Sequence, residues 1–259
     1  MNQFVNDFFK RIQYQGSHDV QFEDLSEIMS QFAKNIPFEN LSIMMSEDYE
    51  ISFENLKDKI INQQRGGVCY DLNPMFFYFL KEVGFDVQLV AATISGNESL
   101  GLIGTHIAIL LMKDEERYLI DVGFGSHLAL QPIPFTGEFI TALTGEYRIR
   151  KEETGLGEYI REKYQNGKLE ISYSFYLNPV DTSYLNDVKE VITNHPNSHF
   201  NKSLLLTKIT DDGHVTLTDR TYTVMKNGQK DKQSIDSDMF HQLMVHQFGL
   251  MINKQDEVV

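Results

Sequence analysis

Apolar positions recur every three or four residues in the first third of the chain, and beyond about residue 84 they alternate or gather into short runs. The first pattern predicts amphipathic helices and the second predicts strands. Residues 2–13 place Phe4, Val5, Phe8, Phe9 and Ile12 on one face, and Gly16-Ser17 ends that segment. A second helix, from about Glu23 to Ala33, carries Leu25, Ile28, Met29 and Phe32. It must stop near Ile36, because the ring of Pro37 disfavours helical geometry at the preceding residue. Pro37-Phe38-Glu39-Asn40-Leu41 reads as a compact loop. Ser52 then offers a hydroxyl cap to a third helix reaching about Asn62, with Phe53, Leu56, Ile60 and Ile61 inward. A fourth runs from Asp71 to Val83 with Gly84 beyond its end and Pro74 early enough to be tolerated.

The alternating texture predicts strands over 86–95, 105–112 and 117–122, the last two joined as an antiparallel hairpin by Lys113-Asp114-Glu115-Glu116. Further strands are expected over 147–151, 159–165 and 169–177, which together suit a small twisted sheet or open barrel. From Asn178-Pro179 to Asn197-Ser198 the chain looks polar and loop-like. A hairpin follows about Asp211-Asp212-Gly213, between 204–209 and 215–217, and a last amphipathic helix spans Ser237 to Phe248. The expectation is an α+β fold in three lobes: a helical bundle over 1–84, a β lobe over 85–190 and an α/β segment over 191–259.

The 259 residues suffice for a substantial core. The first residues lack the positive start and apolar run of a signal peptide, and no stretch approaches a bilayer-spanning length. With one cysteine no internal disulfide can form; a cytoplasmic location and no membrane partner are expected from these absences. The formal net charge of −14, with no dense basic run, repels a phosphate backbone and argues against nucleic acid as a partner. With a single cysteine no Cys-x-x-Cys spacing occurs, and no metal site is expected. Gly101-Leu102-Ile103-Gly104 and Gly123-Phe124-Gly125 complete no dinucleotide or Walker pattern.

Candidate chemistry centres on the single cysteine, Cys69, in Arg65-Gly66-Gly67-Val68-Cys69-Tyr70-Asp71-Leu72-Asn73. A lone cysteine is ordinarily a small buried hydrophobe. Here two glycines deliver it onto the first turn of a helix, where the positive end of the helix dipole favours a thiolate. A thiolate nucleophile needs a base and a group that orients the base. His106 near the start of one hairpin strand and Asp121 at the end of its partner can be neighbours, because antiparallel pairing brings those ends together. Six of the other histidines, His18, His127, His199, His214, His241 and His246, sit in polar or helical settings and read mostly as surface or loop residues.

Arg65-Gly66-Gly67-Val68-Cys69 with Asn73 closely resembles the active-site motif of the arylamine N-acetyltransferases. Ile36-Pro37-Phe38-Glu39-Asn40-Leu41, Thr105-His106 and Asp121-Val122-Gly123-Phe124-Gly125 follow in the order and spacing of that family, and the likeness covers nearly the whole chain. Asp71 stands where many relatives have Glu, and Tyr70 where Phe is frequent. The resemblance implies a fold like that of the cysteine proteases, with an N-terminal helical bundle, a central antiparallel β-barrel-like lobe and a C-terminal α/β lid. It implies Cys69 as nucleophile, His106 as base and Asp121 as orienting group, with Arg65 paired to Glu39 in a structural role. It further implies acetyl transfer from acetyl-coenzyme A to an arylamine or arylhydrazine through an acetyl-cysteine. Phe38, Phe124 and Phe200 are the candidates for an apolar acceptor slot, and backbone groups near Gly104, Thr105 and Gly125 are candidates for receiving coenzyme A.

Two other readings stand beside this one: a papain- or transglutaminase-like thiol hydrolase or acyltransferase, and a catalytically silent protein that binds small aromatics. A monomer and a homodimer are equally compatible with the sequence.

Overall fold

A computed structural model describes residues 3–250. Among the described residues five α-helices precede residue 84. The first, α1 (Gln3–Ile12), and the second, α2 (Leu25–Asn35), bury the apolar faces expected of them. Ile36 is extended, with φ −116° and ψ 113°, as the following proline requires. The segment expected as a loop forms a short strand, β1 (Phe38–Glu39), and one helical turn, α3 (Leu41–Met44). Ser52 caps α4 (Phe53–Lys57), its hydroxyl accepting from the Asn55 N–H, and the helix widens into a π turn over Asp58–Asn62. Next comes α5 (Cys69–Glu82), which runs through Pro74 and ends before Gly84 at φ +95°, a conformation glycine adopts without steric cost.

The largest sheet has eight antiparallel strands: β2 (Asp86–Ile94), β3 (His106–Lys113), β4 (Glu116–Ile120), β5 (Ile133–Pro134), β6 (Ile140–Ala142), β7 (Gly145–Lys151), β8 (Tyr159–Gln165) and β9 (Lys168–Pro179). Their order is β5-β4-β3-β2-β9-β8-β7-β6, and β5 returns against β7, so the sheet nearly closes into a barrel. Lys113–Glu116 makes the turn between β3 and β4 as the sequence suggested.

One expectation is overturned between residues 178 and 198. The chain there forms α6 (Thr182–Asn194), whose N-cap Asp181 accepts from the Tyr184 N–H and whose Leu185, Val188 and Ile192 are buried. These three residues pack with α1, α2, α5 and the helix-facing side of β2 and β3 in one core. The aromatic interior of the barrel makes a second core.

Finally, β10 (Leu206–Thr210), β11 (Gly213–Leu217), β12 (Thr221–Lys226) and β13 (Gln229–Ser234) form a second sheet, with β1 on its edge beside β10. Helix α7 (Ser237–Phe248) covers it through Phe240, Met244 and Phe248. Neither β12–β13 nor the short β5 and β6 was expected. Every residue of β13 is exposed, so it lacks the apolar alternation that marks a half-buried strand. Among the described residues no helix is long and apolar enough to cross a membrane.

Candidate active site

Cys69 is the first residue of α5 and is buried. The turn before it is held from two sides. Glu39 N–H donates to the Gly67 carbonyl at 2.9 Å and Gly67 N–H to the Pro37 carbonyl at 3.4 Å, so the Pro-Phe-Glu-Asn segment lies against the two glycines. From the helix, Asp71 reaches back and its Oδ2 accepts the Val68 N–H at 3.0 Å, a capping contact that satisfies one of the helix's free donors. A side chain at Gly67 would collide with that carboxylate. Asp71 is anchored behind the turn: its Oδ1 accepts from Tyr49 Oη at 2.6 Å and lies 3.2 Å from Lys59 Nζ on the π turn.

Arg65 does pair with Glu39, Nε to Oε1 at 3.2 Å, and also reaches Glu47 Oε1 and Ser42 Oγ at 3.2 Å each. Glu39 uses its other oxygen to accept the Leu41 N–H at 2.6 Å. Asn40 donates to the Phe200 and Ser203 carbonyls at 2.8 Å each, and its Oδ1 accepts the Leu205 N–H at 2.7 Å. One short segment therefore fastens both the cysteine turn and the chain that carries Phe200.

His106 opens β3, and Asp121 directly follows β4. The register Ile109↔Ile120, continued by one residue, sets Asp121 across from residue 108, on the same face as His106. His106 Nε2 and Asp121 Oδ2 lie 2.8 Å apart, and His106 lines the same cavity as Cys69. Cys69 Sγ is 3.6 Å from the Thr105 carbonyl as well. The structure thus brings Cys69, His106 and Asp121 together.

Asp121 accepts four hydrogen bonds: at Oδ2 from His106 and from Tyr173 Oη at 3.0 Å, and at Oδ1 from Asn73 Nδ2 at 2.9 Å and the Gly123 N–H at 3.0 Å. Burial disfavours its charge, but the charge and hydrogen bond of His106, the charge of Arg161 and the Asn73 amide outweigh it and lower its pKa to about 2. Burial likewise disfavours the imidazolium of His106. The charge and hydrogen bond of Asp121, followed by those of Cys69, prevail and raise its pKa to about 9. At neutral pH the pair is an imidazolium beside a carboxylate, next to the sulfur.

The sulfur faces a narrow cavity of about 50 Å³ lined by Phe38, Phe124 and Phe200 together with Ile94, Leu102, Ile192, Asn97, Ser198 and His199. All three candidate aromatic residues are on its wall. Phe124 is 4.6 Å from the His106 ring, and Phe38 is 5.8 Å from Phe200. His199, expected at the surface, is exposed yet lines this cavity. His127, expected in a loop or at the surface, is only partly exposed; its ring lies 5.4 Å from Phe124 and its Nδ1 3.3 Å from Lys163 Nζ.

Of the backbone groups suggested for coenzyme A, Gly104 donates its N–H to Thr93 Oγ1 at 2.9 Å and accepts from Tyr184 Oη at 3.0 Å, so both of its polar groups have partners. Thr105 lines the cavity; its hydroxyl donates to the Leu102 carbonyl at 3.1 Å. Gly125 has φ +60° and lies near Phe38. Tyr173 and Arg161, which surround the carboxylate, carry no sequence signal. Among the described residues no group of His, Cys, Asp and Glu is arranged to hold a metal ion.

Comparison with known proteins adds to this geometry. The sequence pattern of the N-acetyltransferase family matches residues 21–258. An arylamine N-acetyltransferase from Bacillus cereus, described as having a unique Cys-His-Glu catalytic triad, is 44% identical with a TM-score of 0.92, over 97% of this chain and 100% of that one. Arylamine N-acetyltransferase C from Bacillus anthracis is 38% identical with a TM-score of 0.91, over 97% and 100%. An uncharacterized acetyltransferase of Bacillus subtilis is 39% identical over 230 residues, 88% of this chain and 90% of its own. Where the Bacillus cereus protein is described with a glutamate, the carboxylate facing His106 here belongs to Asp121.

Proposed function

The chain belongs to the arylamine N-acetyltransferase family, and from that premise we propose that it moves an acetyl group from acetyl-coenzyme A to the nitrogen of an arylamine or arylhydrazine by way of acetyl-Cys69. The observation that carries this reading is the sulfur of Cys69 held between a helix N-terminus and an imidazole that is itself bound to Asp121 at 2.8 Å, at the end of an apolar cavity.

In the first half-reaction Cys69, as thiolate, attacks the thioester carbonyl. The tetrahedral adduct collapses with cleavage of the bond to coenzyme A, and the departing thiolate takes the proton of the His106 imidazolium. One thioester replaces another, so little driving force is required. The neutral imidazole is then the base for the second half. The amine nitrogen attacks acetyl-Cys69, His106 takes its proton, and the adduct expels the cysteine thiolate and leaves the amide. Backbone N–H groups at the start of α5, including that of Cys69, stabilise the oxyanion of each adduct. Asp121 fixes the imidazole and balances its charge, and Arg65 with Glu39 holds the turn. Acetyl-coenzyme A is the first substrate, and backbone groups near Thr105 and Gly125 are the candidates for receiving it.

Phe38, Phe124 and Phe200 form the slot for the acceptor ring. Leu102 and Phe200, which both line the cavity, lie on two separate segments of the chain. Those segments are joined by Asn197 Nδ2 donating to the Leu100 carbonyl at 3.0 Å.

Weighing the intact protein after incubation with acetyl-coenzyme A tests this reading. The expected result is a gain of one acetyl group, absent in Cys69→Ala and discharged on adding an arylamine, with the acetylated amine recovered. No adduct, together with cleavage of peptide or amide substrates, would place the protein among thiol hydrolases instead. No adduct and no cleavage would leave it a binder of small aromatics.

A further inference from the structure

Arg161 lies on β8, which is paired with β7 on one side and β9 on the other and is buried over its first five residues. Its side chain has no exposed surface. The guanidinium carbon sits 4.7 Å from the centre of the Tyr147 ring and 5.3 Å from those of Phe124 and Tyr173. Nη2 donates to the His127 carbonyl, while Nε and Nη1 have no hydrogen-bond partner. A guanidinium stays protonated at any pH the protein meets, and a buried one without a paired carboxylate costs several kcal/mol of desolvation. Two of the rings that enclose it, Phe124 and Tyr173, also touch His106, at 4.6 and 4.9 Å, and Tyr173 hydrogen-bonds Asp121.

We propose that Arg161 is a positioning residue that acts by its charge: it is the permanent cation that keeps Asp121 ionised, and His106 able to give up its proton, while Cys69 carries the acetyl group. The inference rests on the catalytic reading above. When Cys69 attacks as a thiolate beside the imidazolium and the carboxylate, the three carry a net charge of −1 that Arg161 cancels. After acetylation the sulfur is neutral and His106 has passed its proton to coenzyme A. Asp121 is then a buried anion whose cationic neighbour has gone. Without Arg161 the proton is held by the His106–Asp121 pair, and the base that the amine needs is occupied. With Arg161 the carboxylate and guanidinium balance, and the imidazole is free. The Arg161 charge is among the influences that lower the Asp121 pKa.

The other titratable groups facing the pair do not supply this charge. Tyr173 from β9 is held neutral by burial, with its pKa raised well above the ordinary value, and that of Tyr147 from β7 is raised to about 12 for the same reason. Burial, then the charge of Lys163, lowers the His127 pKa to about 4. Lys163 is engaged at 2.7 Å by Glu170. Cys69 from α5 is the acylated group itself, and His199 stands on the far, exposed wall of the cavity.

The test separates the two half-reactions. Acetyl-enzyme is formed with acetyl-coenzyme A, and its discharge by an arylamine is followed from pH 5 to 9 in the wild type, Arg161→Met and Arg161→Lys, with thermal melts of each. Removing a nearby positive charge raises the proton affinity of the pair, so the rising limb of the discharge rate should move up by at least about one pH unit in Arg161→Met, a loss of about fivefold at the original midpoint and about tenfold well below it. The rate of acetylation should change less, and Arg161→Lys should return the limb toward its original position. Arg161→Gln, which keeps a donor for the His127 carbonyl, serves where Arg161→Met does not fold. An unmoved limb, equal losses in both half-reactions, or no recovery with Arg161→Lys would overturn the proposal. Failure of both neutral variants to fold would do so too, since the charge would then serve the fold. If the wild type itself takes no acetyl group, it is the catalytic reading that fails.

Discussion

Asn73, on the helix that begins with Cys69, places its Nδ2 2.9 Å from Asp121 Oδ1 and so ties the cysteine helix directly to the carboxylate that faces His106. The same amide donates to the Ile107 carbonyl at 2.6 Å, and its Oδ1 accepts the Val122 N–H at 2.9 Å. One buried side chain therefore sets the spacing between the two parts of the site. A Cβ on Gly123 would fall 2.7 Å from that Nδ2 and 2.9 Å from the Cys69 Cα, which is why the turn after Asp121 has no side chain there. Replacing Asn73 by Ala leaves three buried polar groups without their partner and should destabilise the protein by about 2–4 kcal/mol. Acetylation by acetyl-coenzyme A, read by intact mass at a temperature where the variant remains folded, should slow by at least about tenfold. A lower melting temperature with an unchanged acetylation rate would show that Asn73 serves only the fold.

The titration of the His106–Asp121 pair makes stability depend on pH in a defined window. His106 is raised from 6.5 to about 9, so the stabilisation from its imidazolium is complete below about pH 6.5 and disappears as pH rises through 9. Asp121 is lowered from 3.8 to about 2, so its contribution is present above about pH 3.8 and is lost as pH falls through 2. Melting temperatures of the wild type and His106→Gln should therefore differ by a constant amount between pH 4 and 6, then converge from pH 6.5 to 9. Parallel curves across the alkaline window would mean that His106 titrates alike in the folded and unfolded chain.

The sequence made much of this arrangement legible, for physical reasons that differ from residue to residue. The helix of Cys69 announces itself by its apolar spacing and its terminal glycine, and the β3–β4 turn by its run of four charged residues. The convergence of His106 and Asp121 then follows from antiparallel pairing. Helix α6 was hidden because Asn178-Pro179 and His195-Pro196 at its two flanks read as loop, although the Asp181 cap and the spacing of Leu185, Val188 and Ile192 were present. Arg161 was hidden for a stronger reason. An arginine followed by Glu162 and Lys163 reads as part of a solvent-facing charged run, and only the closing of the sheet places it against three aromatic rings. Tyr173 is the same kind of case, since nothing local distinguishes a tyrosine that reaches a distant carboxylate from one that fills a core.

Arg65 and Glu39 should behave as a buried pair rather than as independent contributors. The Glu39 side chain is fully buried and that of Arg65 is 16% exposed. Arg65→Met strands the Glu39 carboxylate and should cost about 3–5 kcal/mol. Adding Glu39→Gln removes the stranded charge while the amide oxygen still accepts the Leu41 N–H, so the double variant should regain part of that loss in chemical denaturation. Additive losses would show that the pair is not coupled, and that Glu47 and Ser42 account for the effect of Arg65.

Asn40 and Phe200 supply a separation between acceptor recognition and acyl chemistry. Asn40 clasps residues 200, 203 and 205 through three hydrogen bonds, and Phe200 lines the cavity together with Phe38 and Phe124. Neither side chain touches the His106–Asp121 pair. In Phe200→Ala the slot widens and loses ring contact, so the KM for an arylamine should rise by about fivefold or more, while acetyl-Cys69 forms at close to the wild-type rate. Asn40→Ser shortens the clasp without emptying the position and should move the same two quantities in the same directions by a smaller amount. The bulk of the acceptor provides the sharper reading: a two-ring amine should lose less than a one-ring amine in Phe200→Ala, because the space vacated by the phenyl group is then refilled. Equal losses for both amines, or a fall in acetylation that matches the fall in amine transfer, would remove Phe200 from the acceptor slot and make it a support for the cysteine turn through Phe38.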